Sequence, residues 1–355
     1  MMDLGRHPKL RQLARNLHIP DGGDSLRELR EHALATVQRM LAEWISVDTI
    51  EDLRLLVADR LSVKLEFLRT DDDIDRVATA YRQFFVRFRR LLHAEFLQGD
   101  TEGLLIDNPT PEKGGRRYLA IIDARGPRGA RAFFTAWHEL AHLLLCPPQQ
   151  LLLDGFRRSP SDASKQKDPL ESAVDHIAGL LAFWGPIFGP ALQEAAGSAL
   201  TFAAIDRATA DVAPGASLYS ASLAATRLWH RAAVFLTAEM CPKSDGTAYA
   251  LRLQAFVPND AARAEGCSVR KHMRVPGACA LTAAFEDVLG KEHSGPEDQS
   301  WWEVSGHGHL PAVAWHVQAV RRGPAVYGIV TLLGAGMSAG RTADQQLTGT
   351  QTEAW

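Results

Sequence analysis

The sequence predicts an α+β protein: a mostly helical core around a small sheet, a helical connector, and a C-terminal α+β domain. Three observations carry this. Apolar residues recur at helical spacing through most of the first 240 positions, interrupted by a few short strand-like runs. From about 241 the pattern changes to alternation. The length, 355 residues, suits two or three domains, each able to bury a core. The expected boundaries are 1–60 for an N-terminal helical region, 61–190 for the core, 191–240 for the connector, 241–335 for the last domain and 336–355 for a mobile tail.

The elements follow in order. The first twenty residues are basic and carry little pattern. Ser25 opens a helix with Glu28 in capping-box position, and Leu29, Ala33, Val37, Met40, Leu41 and Trp44 continue it. A short helix runs from about Thr49 to Leu61. Val63, Leu65 and Phe67 alternate as a strand. The acidic stretch Asp71–Asp75 suits a helix N-terminus, and Val77, Tyr81, Phe84, Phe88 and Leu91 extend one helical stripe from it. Leu104–Ile106 and Tyr118–Ile122 read as strands around a turn at 109–115. Next comes a helix from Ala132 to Cys146, stopped by Pro147-Pro148, then a polar loop over 149–167. A helix from Asp168-Pro169 to Trp184 follows, ended by Gly185-Pro186. Residues 190–240 read as mostly helical with a break at Pro214-Gly215. Beyond them Leu251/Leu253/Ala255/Val257, Val313/Trp315/Val317 and Val326/Ile329 alternate.

Composition excludes several classes. With 46% hydrophobic and 23% charged residues the chain is globular rather than disordered. A net charge of −3, from 39 basic and 42 acidic residues, excludes whole-surface attraction to nucleic acid or anionic membrane, though not a local basic patch. No apolar run approaches the ~20 residues of a membrane span. The opening residues lack the apolar core of a signal peptide. Four cysteines without paired spacing speak against a disulfide framework, so a cytoplasmic location is expected.

The chemistry concentrates in the helix over 132–146. Nearly every position there is apolar, which predicts burial all round. The exceptions, Thr135, His138, Glu139 and His142, fall at i, i+3, i+4 and i+7 and form one polar stripe. Buried polar groups need partners. His138-Glu139-Leu140-Ala141-His142 is an HExxH motif, in which two imidazoles one turn apart reach a single zinc and the Glu serves as general base toward water. Chance supplies roughly 0.03 such matches in a chain with 13 histidines, so the metal reading outweighs a pair of hydrogen-bonded core histidines.

A catalytic zinc wants a third protein ligand, and Asp154, Asp162, Asp168, Glu171, Asp175 and His176 are the downstream candidates. Glu171 and Asp175 are four apart on a face shared with Ala178 and Ala182, whose small side chains permit close approach to the HExxH helix. Glu171 is expected to ligate and Asp175 to accept the other ring N–H of a ligating His. Asp168-Pro169-Leu170-Glu171 also reads as a capping box, the structural alternative for Glu171.

On these residues the chain resembles the ImmA/IrrE family of zinc metallo-endopeptidases. Ala132-Phe-Phe-Thr-Ala-Trp-His-Glu-Leu-Ala-His-Leu-Leu-Leu-Cys146 is similar to that family's aromatic-Thr, HExxH and aliphatic run, and the strand ending Ile121-Ile122-Asp123 also fits. Glu171-Ser-Ala-Val-Asp-His-Ile-Ala-Gly-Leu-Leu181 is similar to the family helix that begins with the ligand Glu. A weaker block, Ala216 to Leu228, resembles the helix-turn-helix-like segment that follows the protease core. The match spans about 60–235 and is strong only at 118–184. It departs from the family pattern at Asp175, usually Asn or a small residue, and at Ala182–Pro186. Cys146 takes a place often held by His and is not read as a ligand.

The resemblance implies a zincin-like core, zinc as cofactor on His138, His142 and Glu171, and Glu139 as general base. It implies a GAF-like sensor domain at 241–335, and cleavage of a helix-turn-helix repressor that derepresses a stress or defence operon. The CapP-like peptidases associated with antiphage operons share this plan. Expected partners are that repressor as substrate and, locally, nucleic acid or a DNA-derived activator, with no membrane. The competing reading is a non-catalytic, metal-stabilised regulator that binds a transcription factor or DNA directly.

Weaker signals remain. Arg82, Arg87, Arg89 and Arg90 interleave with Phe84, Phe85 and Phe88, which suits a solvated basic face better than a nucleic-acid surface. The segment 217–230 is apolar enough for packing rather than DNA reading. His307-Gly308-His309 is read as incidental and Arg321–Pro324 as a turn. Tyr219, Arg227 and His230 are candidates to stabilise an oxyanion. Thiolate is a good zinc ligand, and Cys279 in Val275-Pro-Gly-Ala-Cys279 is the first candidate to block the fourth zinc position, ahead of Cys267 and Cys241.

Overall fold

The computed structural model describes residues 4–42, 46–82, 88–98, 100–107, 115–145, 156–158, 168–242, 249–304 and 308–332. The tail over 336–355, the turn at 109–114, Trp44, Phe84, Phe85, Arg87, Cys146, Asp154, Asp162 and His307 lie outside them. The chain is α+β and divides into two compact units, residues 1–198 with 203–225, and residues 199–202 with 226–355.

In chain order the first unit holds α1 (Pro8–Asn16), α2 (Ser25–Leu41), α3 (Ile50–Arg60), β1 (Val63–Leu68), α4 (Asp72–Ala80), α5 (Phe88–His93), β2 (Gly103–Asp107) and β3 (Tyr118–Asp123). It continues with α6 (Gly129–Leu145), β4 (Phe156–Arg158), α7 (Pro169–Leu181) and α8 (Gly185–Ala196). Helices α9 (Phe202–Val212) and α10 (Leu218–Leu228) complete the helical stretch. The sheet order is β1-β3-β2-β4, with β1 parallel to β3 and both other pairs antiparallel.

Strand β3 is the centre of this unit, and all six of its residues are buried. Its side chains alternate between two covered faces. Leu119 and Ile121 pack with Ile74, Val77, Phe88 and Leu92 of α4 and α5, while Ile122 packs with Ala132 and Ala136 of α6. A strand covered on both sides has to be apolar throughout, which is how Tyr-Leu-Ala-Ile-Ile reads. Where β3 ends, buried Asp123 accepts hydrogen bonds from Arg125 and Arg128 at the entrance to α6. Burial would raise the Asp123 pKa, but these hydrogen bonds and the Arg125 charge hold it lowered. The ion pairs thereby tie the start of α6 to the sheet.

Several local expectations are corrected. The cap of α2 is Asp24, whose side chain accepts from the Arg27 N–H, and Ser25 is the first helical residue. Glu28 still closes the turn, accepting from the Gly22 and Asp24 N–H groups. The stripe expected as a single helix is broken between α4 and α5. Tyr81 leaves the helix at φ −113°, and its hydroxyl donates to Glu66 of β1. The first twenty residues hold α1, which Pro8 starts at a position where no N–H is needed. The loop over 149–167 contains β4, and a strand, Ala233–Pro242, occupies the end of the stretch read as helical.

That strand, β5, is the first strand of the second unit. It is followed by β6 (Tyr249–Pro258), α11 (Asp260–Ala264), α12 (Ala280–Glu286), β7 (Glu292–Asp298), β8 (Glu303–Val304), β9 (Gly308–His309), β10 (Ala314–Arg322) and β11 (Ala325–Leu332). Five of the strands form an antiparallel sheet in the order β6-β5-β11-β10-β7, and β8 pairs with β9. The expected turn at 321–324 is the β10–β11 hairpin loop, with Gly323 at φ +61° where a side chain would be strained. The core gathers Val234, Leu236, Leu281, Trp302, Trp315 and Val330.

Asn259 holds the entry to this sheet. Its carbonyl oxygen accepts from the Ala233 and Ala262 N–H groups, and its amide nitrogen donates to the carbonyls of Thr226, Trp229 and Arg231. The side chain is buried, so no water replaces it. Asn259→Ala is expected to cost about 3 kcal/mol. The check is a lower midpoint of urea unfolding with an unchanged slope.

Candidate metal centre

Helix α6 carries the polar stripe, and all four of its members are buried: Thr135, His138, Glu139 and His142. Helix α7 packs against it and brings Glu171 to the two imidazoles. Glu171 Oε2 lies 3.2 Å from His138 Nε2, and Oε1 lies 3.5 Å from His142 Nε2. The two Nε2 atoms are 3.0 Å apart. Three donors around one tetrahedral zinc, each at ~2.0–2.1 Å, stand about 3.3 Å from one another. The observed triangle has that size, so His138, His142 and Glu171 can hold a metal ion. Two imidazole nitrogens and one carboxylate suit a divalent transition-metal ion, zinc among them.

Asp175, one turn beyond Glu171, orients the first of these ligands. Its Oδ1 lies 2.8 Å from His138 Nδ1, the geometry of a carboxylate that accepts the Nδ1–H and leaves Nε2 as a lone-pair donor. Burial, first, and the facing His138 hold the His142 imidazole below its ordinary pKa against the opposing pull of Glu171. Burial thus favours the neutral form of the ring, the form in which an imidazole ligates a metal. Burial would raise the Glu171 pKa, but hydrogen bonds to His138 and His142 and their charges hold its carboxyl far below the usual range. The Glu171 side chain is 33% exposed against 2% and 1% for the two histidines, so solvent meets the triad on the Glu171 side. Asp175→Ala is expected to weaken divalent-metal binding about 10–100-fold, read by competition with a chromophoric chelator.

Asp168 is otherwise employed. It caps α7 by accepting from the Leu170 N–H and pairs with Lys9 at 2.8 Å. The cap of α7 is thus made by Asp168, and Glu171 turns to the imidazoles. Tyr219 stands 40% exposed on α10. Arg227 and His230 belong to the second unit, where the His230 ring lies tilted against Trp229 with centroids 4.8 Å apart. Cys279 also belongs to the second unit. Its thiol donates to the Pro276 carbonyl at 3.2 Å, and burial followed by the Glu297 charge pushes its pKa up. The donor triangle forms without it.

One residue of the site went unnoticed in the sequence. Gly103, the first residue of β2, lies directly against the general-base candidate. A Cβ placed there would stand 2.6 Å from Glu139 Oε1 and 2.7 Å from Thr135 Cγ2. Only a glycine lets the strand pass this close to the Glu139 carboxylate. The available signal was a glycine opening the apolar run Gly103-Leu-Leu-Ile106, a mark of close backbone approach.

No family model matches the chain, and no curated protein matches it. Among solved structures the chain is similar to a Mycobacterium tuberculosis transcriptional regulator, over 93% of this chain and 82% of that one, at 10% identity and a TM-score of 0.43. A likeness at that level carries no argument about function. The resemblance to ImmA/IrrE peptidases therefore rests on the motif residues alone. Among the described residues no helix is long and apolar enough to cross a membrane.

Proposed function

We propose that this chain is a zinc-dependent endopeptidase that cuts a helix-turn-helix repressor and so relieves a stress or defence operon, with its C-terminal unit as regulator. The observation that supports it most is the convergence of His138, His142 and Glu171 on one point, with Glu139 between the histidines on the same buried stripe. A zinc ion bound there supplies Lewis acidity, which polarises a peptide carbonyl and acidifies water.

The residues divide the remaining work. His138 and His142 present Nε2 lone pairs, and Asp175 keeps the His138 ring in the tautomer that can do so. The Glu139 carboxylate takes a proton from the attacking water and returns it to the leaving amine, so one C–N bond breaks and one C–O bond forms. The Gly103 backbone runs close beside that carboxylate. The open Glu171 side of the triad is where a peptide would approach.

The test is metal removal with the helix-turn-helix protein encoded beside this gene as substrate. The zinc-loaded chain is expected to cut it at one site. Dialysis against a chelator is expected to stop cleavage and to lower the thermal midpoint, because a ligand bound at 100 times its Kd stabilises by about 2.7 kcal/mol. Cleavage that survives full zinc depletion would refute the reading.

A further inference from the structure

The second unit contains a cavity that the peptidase reading does not use. It has a volume of about 280 Å³ and lies between the N-terminal end of α12 and the edge strand β7. Cys279, His293, Ser294, Pro296, Glu297 and Trp301 are among the residues that line it. That size sits at the lower edge of small-molecule sites, which span roughly 300–1,000 Å³, and suits a single-ring ligand.

Its chemistry is set by Glu297, which is 97% buried. One carboxylate oxygen accepts from the Ala280 N–H at 2.6 Å. The other, Oε2, is buried with no hydrogen-bond partner among the described residues. A buried acceptor in that condition is an unmet hydrogen-bonding capacity at the cavity wall. No lysine or arginine lines the cavity among the described residues, and the His293 ring is already engaged by Asp287 at 2.9 Å. The Cys279 thiol points to the Pro276 carbonyl. At the rim the Trp301 indole is 39% exposed, and an indole face attracts cations as well as planar rings. Burial also pushes Glu297 up to about 7, the signature of a carboxylate lacking its counter-charge.

We propose that this cavity binds a small organic cation, an aryl- or alkyl-substituted ammonium or amidinium, with Glu297 as its counter-ion and the Trp301 indole as its aromatic wall. The cation's N–H donates to Glu297 Oε2 and its apolar part lies against Trp301 and Pro296. The site is built from second-unit residues alone and stands or falls independently of the metal centre.

Calorimetric titration of the full chain with benzamidinium tests this, with benzyl alcohol as neutral control. Saturable benzamidinium binding is expected, weakened about tenfold or more in Glu297→Gln by loss of a charge-assisted hydrogen bond. Trp301→Ala is expected to weaken it about threefold. Because Trp301 is half-exposed at the rim, that variant decides the matter if Glu297→Gln does not fold. Glu139→Gln is expected to bind benzamidinium as the parent does. Equal affinity for benzyl alcohol would overturn the proposal. Heat of dilution only, the result for a cavity that holds water, would overturn it too.

Discussion

Glu139→Gln is expected to lower the rate of repressor cleavage by about 10²–10⁴-fold while the chain keeps its zinc. The substitution preserves size and removes only the ability to take a proton. His138, His142 and Glu171 supply the three donors, so the metal does not depend on Glu139. Side-chain volume is conserved in a site where the Gly103 backbone runs close beside the carboxylate, so the fold should tolerate the change. The measurements are initial cleavage rates and zinc content on the same preparations. A variant with normal zinc and normal rate would remove Glu139 from the mechanism.

Gly103→Ala is the second large effect. The added methyl would stand 2.6 Å from Glu139 Oε1 and 2.7 Å from the Thr135 methyl, well inside contact distance. Either β2 moves outward or the Glu139 carboxylate turns away. β2 is hydrogen-bonded to strands on both sides, β3 and β4, which leaves the Glu139 carboxylate and the Thr135 side chain as the parts that yield. A displacement of about 1 Å in a reacting group costs on the order of 100-fold in rate. Overpacking should also cost about 1–3 kcal/mol of stability. Zinc content should stay at one ion per chain, because the contact falls on Glu139 and not on the triad. Cleavage within about twofold of the parent would show that Glu139 does not act from the position found here.

The cluster of His138, His142 and Glu171 was more legible in the sequence than the fold around it, for a physical reason. His138, Glu139 and His142 share one helix, and helical periodicity alone places them on one face. Glu171 and Asp175 could be argued because small residues on their face of α7 permit close approach to α6. For Gly103 the glycine opening an apolar run marks a close approach but not its partner, because the contact with Glu139 depends on how β2 lies across α6, which no local pattern encodes. The same limit explains β5. Ala233–Leu236 is fully buried, so it shows no alternation to distinguish it from the apolar helices before it. Tyr81 carried an apolar stripe past the true end of α4, because its hydrogen bond to Glu66 is invisible in periodicity. Asp24 and Ser25 are both good caps, and choosing between neighbours needs the backbone conformation.

The most direct test of the peptidase account is the intact mass of the helix-turn-helix repressor after incubation with the zinc-loaded chain. The account predicts two fragments whose masses sum to that of the repressor plus one water. A repressor that remains whole, held in a stable complex with the chain, would contradict it and mark the protein as a metal-stabilised regulator that works by binding.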